Sequence, residues 1–133
     1  MTSKVTYLGD LRTSSIHLQS GTTILSDAPK DNHGKGEAFS PTDFVANALG
    51  SCMVSIMAIK SKDLSIDLIN STVEVTKIMQ AEPRKIAKII IIINIPISVN
   101  EKNKTILERS AMHCPVLLSL HPDIEKEVTF NWQ

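Results

Sequence analysis

Cys52 and Cys114 are the only thiols in 133 residues, and a thiolate is both a strong nucleophile and the side-chain group most readily oxidised and reduced again. Their local settings differ. Cys52 falls three turns into an apolar, helix-patterned segment, where the helix dipole has faded, so a thiolate there needs a cation brought from elsewhere. Cys114 follows His113 and precedes Pro115 at the head of a short helical stretch, where free N–H groups and an adjacent imidazole favour the thiolate. Each cysteine alone reads more readily as a small buried hydrophobe. As the sole pair, they make thiol redox chemistry the first to consider.

Other chemistries find less support. His17, His33, His113 and His121 are the only soft metal ligands besides the cysteines, and neither Cys-x-x-Cys nor His-x-x-x-His spacing occurs, so no metal site is expected. There is no Gly-x-Ser-x-Gly elbow and no phosphate-loop glycine pattern. Of the three arginines, Arg109 lies beside Glu108 and reads as part of a solvated helix face; Arg12 and Arg84 complete the set. Fourteen Lys and Arg balance fourteen Asp and Glu. A net charge of zero provides no field to draw nucleic acid or an acidic membrane surface, and no cofactor is expected.

The elements that must position the thiols are legible in the patterning. With 42% hydrophobic and 21% charged residues, a chain of this length removes roughly two thirds of its unfolded surface from water without a disulfide or metal staple. One domain over 1–133 is expected. β-formers at 5–8, 15–18 and 22–25, separated by Gly9-Asp10 and Gln19-Ser20-Gly21, predict an antiparallel meander. Residues 27–36, rich in Pro, Gly, Asp and Asn, predict a mobile surface loop.

Ser40-Pro41-Thr42-Asp43 is a helix start, with a cap, a proline in the first turn and an acid three residues after the cap. The helix is predicted to run to about Lys62. Phe44, Ala48, Cys52 and Ile56 form one stripe, widened by Val45, Leu49 and Met53, and hardly any charge intervenes before Lys60; burial nearly all round follows. Asn47 is then expected as a polar side chain satisfied within the core.

Residues 70–79 alternate as a strand with one wet face, and Glu82-Pro83 breaks it. Residues 84–99 place Ile89, Ile91, Ile93, Ile95 and Ile97 on one face and Ile90 and Ile92 on the other, which predicts a strand buried on both sides. One apolar helix cannot cover both, and a partner subunit would supply the second layer. Asn100 caps a helix to Ala111 whose apolar side is Ile106, Leu107, Ala111 and Met112; a short helix over 116–120 and a strand over 127–132 complete the chain. Residues 1–6 lack a basic-then-apolar leader, and the longest apolar run, 89–93, is too short to span a bilayer, so a cytoplasmic protein with no membrane association is expected.

The run Phe39-Ser40-Pro41-Thr42-Asp43-Phe44-Val45-Ala46-Asn47-Ala48-Leu49-Gly50-Ser51-Cys52, followed by Val73-Glu74-Val75-Thr76-Lys77, Pro83-Arg84-Lys85-Ile86 and Cys114-Pro115-Val116, resembles the OsmC/Ohr-like family of osmotically inducible and organic-hydroperoxide-resistance proteins over nearly the whole chain. The helix ending in Leu-Gly-Ser-Cys with a distal Cys-Pro carries the resemblance. It implies an α+β fold in which antiparallel sheets pack around long central helices in an intertwined homodimer.

It also implies a thiol peroxidase that takes an organic hydroperoxide as substrate and an external dithiol as reductant, with Cys52 peroxidatic and Cys114 resolving. Active members use an N-terminal arginine, here Arg12, to hold the thiolate, and a glutamate just after the proline to orient that arginine; Thr42 stands in its place. A threonine offers no bidentate carboxylate, and Asp43 points about 100° away around the helix. Arg12 is therefore expected to be loosely held and peroxide turnover weak, unless Asp43, Glu37 or an acid from the other subunit substitutes. A partly apolar pocket from Phe44 and Met53 is expected beside Cys52. The alternative function is a non-catalytic dimer that binds a small apolar ligand in that pocket at the subunit interface.

Overall fold

The computed structural model describes all of residues 1–133, which form two compact units, Met1–Val45 and Ala46–Gln133. In the first unit, strands β1 (Ser3–Gly9), β2 (Arg12–His17) and β3 (Thr23–Asp27) form an antiparallel meander in the order β1-β2-β3. The β1–β2 reversal takes positive φ at Gly9, Asp10 and Leu11 in succession, a conformation that glycine adopts without cost and aspartate tolerates. The expected loop after β3 is tightly closed: the Pro29 carbonyl accepts from Asn32 and Gly34, and the Ala28 carbonyl accepts from Gly36 at 3.2 Å. Ser26 and Asp27 are buried, whereas Val5, Tyr7, Leu8, Ile24 and Leu25 are exposed. This sheet has almost no apolar core of its own.

Helix α1 (Pro41–Asp63) starts where the capping residues predict. Ser40 Oγ accepts from the Asp43 N–H at 3.0 Å and Asp43 Oδ2 accepts from the Ser40 N–H at 2.8 Å, a reciprocal capping box with aspartate in the acid's place. Its buried stripe is Ala46, Leu49, Gly50, Met53, Met57 and Ser61. Within one chain burial is confined to this stripe: Ser51, Ser55 and Val45 are exposed and Ile59 is 63% exposed. Asn47 lies on this exposed side and is not a core residue. A single helix turns only one stripe of its circumference to a sheet. By length and hydropathy α1 would be long enough to cross a bilayer, but here its stripe packs on a sheet.

That sheet is β4 (Thr72–Gln80), β5 (Lys85–Ile95) and β6 (Glu125–Trp132), in the order β4-β5-β6, with β4 antiparallel and β6 parallel to β5. Ile89, Ile91, Ile93 and Ile95 are buried with Leu49, Met53 and Met57. Gly50 lets helix and sheet come close, since an added Cβ would stand 2.9 Å from both Val73 Cγ1 and Val75 Cγ2. Ile90 and Ile92 are half-buried, not fully buried. Their partners across the sheet are Thr76 and Glu74 on β4 and Glu127 and Thr129 on β6, so this face alternates polar with apolar. β5 ends before Pro96, four residues short of the expected limit, because proline donates no ladder hydrogen bond.

The parallel connection from β5 to β6 carries α2 (Glu101–Ala111) and α3 (Pro115–Ser119). Asn100 Oδ1 caps α2 through the Asn103 N–H at 2.9 Å. Leu107 and Ala111 are buried, while Met112, expected on the same side, is exposed. The indole N–H of Trp132 donates to Glu108 Oε1 at 2.8 Å and ties α2 to the end of β6.

Candidate redox site

Cys114 is the N-cap of α3, and its Sγ accepts the Leu117 N–H at 3.3 Å, as a serine hydroxyl would in that place. Pro115 at the first helical position has no N–H to leave unmet. The side chain is completely buried, and burial is the main reason its thiol is pushed up from its ordinary pKa; the Leu117 N–H opposes the shift and the neighbouring Cys52 adds to it. The expectation that the cap and His113 favour a Cys114 thiolate is thus overturned, because desolvation outweighs one weak N–H···S bond. His113 instead engages the Arg109 carbonyl oxygen through Nδ1 at 2.7 Å.

Cys52 lies on α1, half-buried against the apolar core. Although sixty-two positions separate it from Cys114 in the chain, the fold sets the two sulfurs close enough to influence each other's ionisation. Both are free thiols. One partly exposed thiol therefore stands beside one shielded from solvent. Met53, expected to line a pocket beside Cys52, is wholly buried in the core, and Phe44 is half-buried, its ring tilted against that of Phe39 with centroids 5.7 Å apart.

Arg12 and Thr42 belong to the N-terminal unit. Thr42 Oγ1 lies 3.2 Å from Ser40 Oγ, at the head of α1. The expectation of a loosely held Arg12 is corrected. Its Nε donates to Asp27 Oδ1 at 2.7 Å and its Nη2 to Asp27 Oδ2 at 2.8 Å, a bidentate pair, and Nη2 also donates to Glu37 Oε2 at 2.8 Å. The Arg12 bonds, assisted by the Glu37 N–H and by the charge of Lys35, outweigh burial and hold the Asp27 carboxyl at about 2. The two acids in turn push the Arg12 guanidinium above its usual value. Asp27 was missed by motif reasoning, yet a signal exists. Continuing the β2–β3 hairpin outward from Ser20-Gly21 pairs Ile16 with Thr23 and brings Arg12 directly opposite Asp27. No group of three or more His, Cys, Asp or Glu side chains is arranged to hold a metal.

A family model described as OsmC-like protein matches residues 34–129. The chain belongs to the OsmC-like family. Among solved structures, an osmotic stress induced and detoxification response protein from Psychrobacter arcticus is 52% identical, with a TM-score of 0.95 over 98% of this chain and 95% of that one. An organic hydroperoxide resistance protein from Elizabethkingia anophelis, solved with bound thiocyanate, superposes with a TM-score of 0.77 at 18% identity over 100% of this chain and 97% of that one. One from Legionella pneumophila gives 0.73 at 17% identity, over 98% and 97% of the two chains. These two more distant likenesses establish the OsmC-like fold. No protein of curated function matches the chain.

Proposed function

We propose that this OsmC-like protein reduces organic hydroperoxides through Cys52 and Cys114. The observation that carries the reading is the pair itself: the only two thiols of the chain, remote in sequence, adjacent in the fold and unequal in exposure. The partly exposed Cys52 thiolate attacks the terminal oxygen of the hydroperoxide. The O–O bond breaks, the alkoxide takes a proton to leave as the alcohol, and Cys52 becomes a sulfenic acid. The Cys114 thiol then attacks the Cys52 sulfur, forming the disulfide and releasing water. An external dithiol reduces that disulfide by exchange and is itself oxidised to a disulfide.

The raised pKa of Cys114 suits a resolving role, because a buried thiol does not compete for peroxide. Arg12 is the cation that the resemblance assigns to the reaction, at the end of a clamp that replaces the carboxylate Thr42 lacks. The protein acts as a homodimer, a reading supported by the N-terminal sheet without a core, by the exposed side of α1 and by the half-covered Ile90 and Ile92. Thiol titration with and without one equivalent of an organic hydroperoxide tests the activity: both thiols disappear together, and a dithiol restores both. Retention of both thiols would favour a non-catalytic ligand binder, for which an open cavity of about 550 Å³ beside α1, lined by Val54, Ala58, Ile66 and Leu68, is one candidate site.

A further inference from the structure

We propose that Asp27 is the positioning residue for Arg12, fixing the guanidinium from strand β3, and that Glu37 is its exchangeable second acceptor. The geometry separates the two acids. Asp27 is 1% exposed at its side chain, stands opposite Arg12 in the β2–β3 ladder and uses both oxygens on the Arg12 fork. It is further secured by the Glu37 N–H on Oδ2 at 3.0 Å and by its own N–H, which donates to the Phe39 carbonyl at 3.1 Å. A bidentate pair between adjacent strands fixes the plane of the guanidinium as well as its position. Glu37 makes one bond to Nη2 from a side chain that is 65% exposed.

Three of the five guanidinium donors are thus committed to the two acids. An oxygen or anionic group that displaces Glu37 from Nη2 meets a guanidinium whose plane Asp27 already fixes, and Asp27 need not move. The positioning claim rests on this geometry; its bearing on peroxide chemistry rests on the function proposed above.

The test follows the Arg12 Nε–Hε resonance by NMR in ¹⁵N-labelled full-length protein. Asp27→Asn should speed exchange of that hydrogen with solvent about tenfold or more, as loss of a charge-assisted bidentate pair requires, whereas Glu37→Gln and Thr42→Val should leave it slow. Unchanged exchange in Asp27→Asn, or loss of protection in Thr42→Val, overturns the proposal. Should Asp27→Asn fail to fold, acid titration of the unaltered protein decides: the Arg12 Hε resonance should move with the Asp27 carboxyl carbon, and movement with Glu37 alone overturns it. Peroxide turnover then tests the linked reading separately. Asp27→Asn should lower kcat/KM about tenfold through Arg12, Asp27→Glu should recover part of it, and Glu37→Gln should lower KM. If Arg12→Ala turns over peroxide at the full rate, the role of Arg12 in the reaction fails while the positioning result stands.

Discussion

The two cysteines have one chemistry and opposite surroundings, and that difference sets their expected behaviour. Burial keeps Cys114 protonated at neutral pH, so a thiol-reactive probe on the folded, reduced protein should label Cys52 first, with Cys114 labelled only on unfolding; equal labelling rates by mass spectrometry would contradict this. Because its pKa is raised on folding, Cys114 contributes stability that is intact below the ordinary thiol range and is lost as pH rises through that range and beyond. Asp27 behaves in the opposite sense. Its carboxyl is depressed to about 2, so its contribution is present above the ordinary aspartate value of about 3.9 and is lost as pH falls from there toward 2. Acid denaturation curves should show this loss, and Asp27→Asn should flatten them between about pH 4 and 2. The cysteine pair could be picked out from the sequence because thiols are scarce. The Arg12 clamp was harder to see, since Asp27 lies across a strand pairing and in no motif, and its pairing with Arg12 required the register of β2 against β3.

At the scale of elements, local chemistry was the better guide and packing direction the poorer one. The capping residues Ser40 and Asn100 marked two helix starts, and the isoleucine alternation marked β5, because caps and period-two patterns act within a few residues. Which side of α1 meets the sheet was not readable. Apolar residues surround that helix, and the discriminating feature is Gly50, whose missing side chain admits Val73 and Val75. Alanine at position 50 gains about 1 kcal/mol of helix propensity. It also forces β-branched neighbours off their rotamers, and overpacking of this kind costs about 1–3 kcal/mol. Gly50→Ala should therefore lower the thermal midpoint, and an unchanged or raised midpoint would show that β4 yields. Asn100→Ala should cost about 1 kcal/mol through the lost α2 cap, measurable by urea denaturation, with little effect on thiol reactivity.

For the whole molecule, the apolar surface left by one chain is the guide. Val5, Tyr7, Leu8, Ile24, Leu25 and Ile59 are exposed, more than a monomer of this size ordinarily leaves in water. Sedimentation equilibrium at micromolar concentration should give a dimer, and a folded 14.6 kDa monomer would contradict that expectation. The sequence pointed to a second layer over β5, where the structure shows Ile90 and Ile92 half-buried among polar partners, whereas the amount of apolar surface left by the N-terminal sheet emerged only with its strands in place. What unites these features is a fold that brings two distant thiols together, and the most direct test is to follow both after a single addition of peroxide. Treated with one equivalent of an organic hydroperoxide and digested without reductant, the protein should yield a Cys52–Cys114 linked peptide, one equivalent of alcohol, and two free thiols again after a dithiol is added. Cys52 oxidised to sulfinic or sulfonic acid with Cys114 still free, or both thiols untouched, would contradict the account.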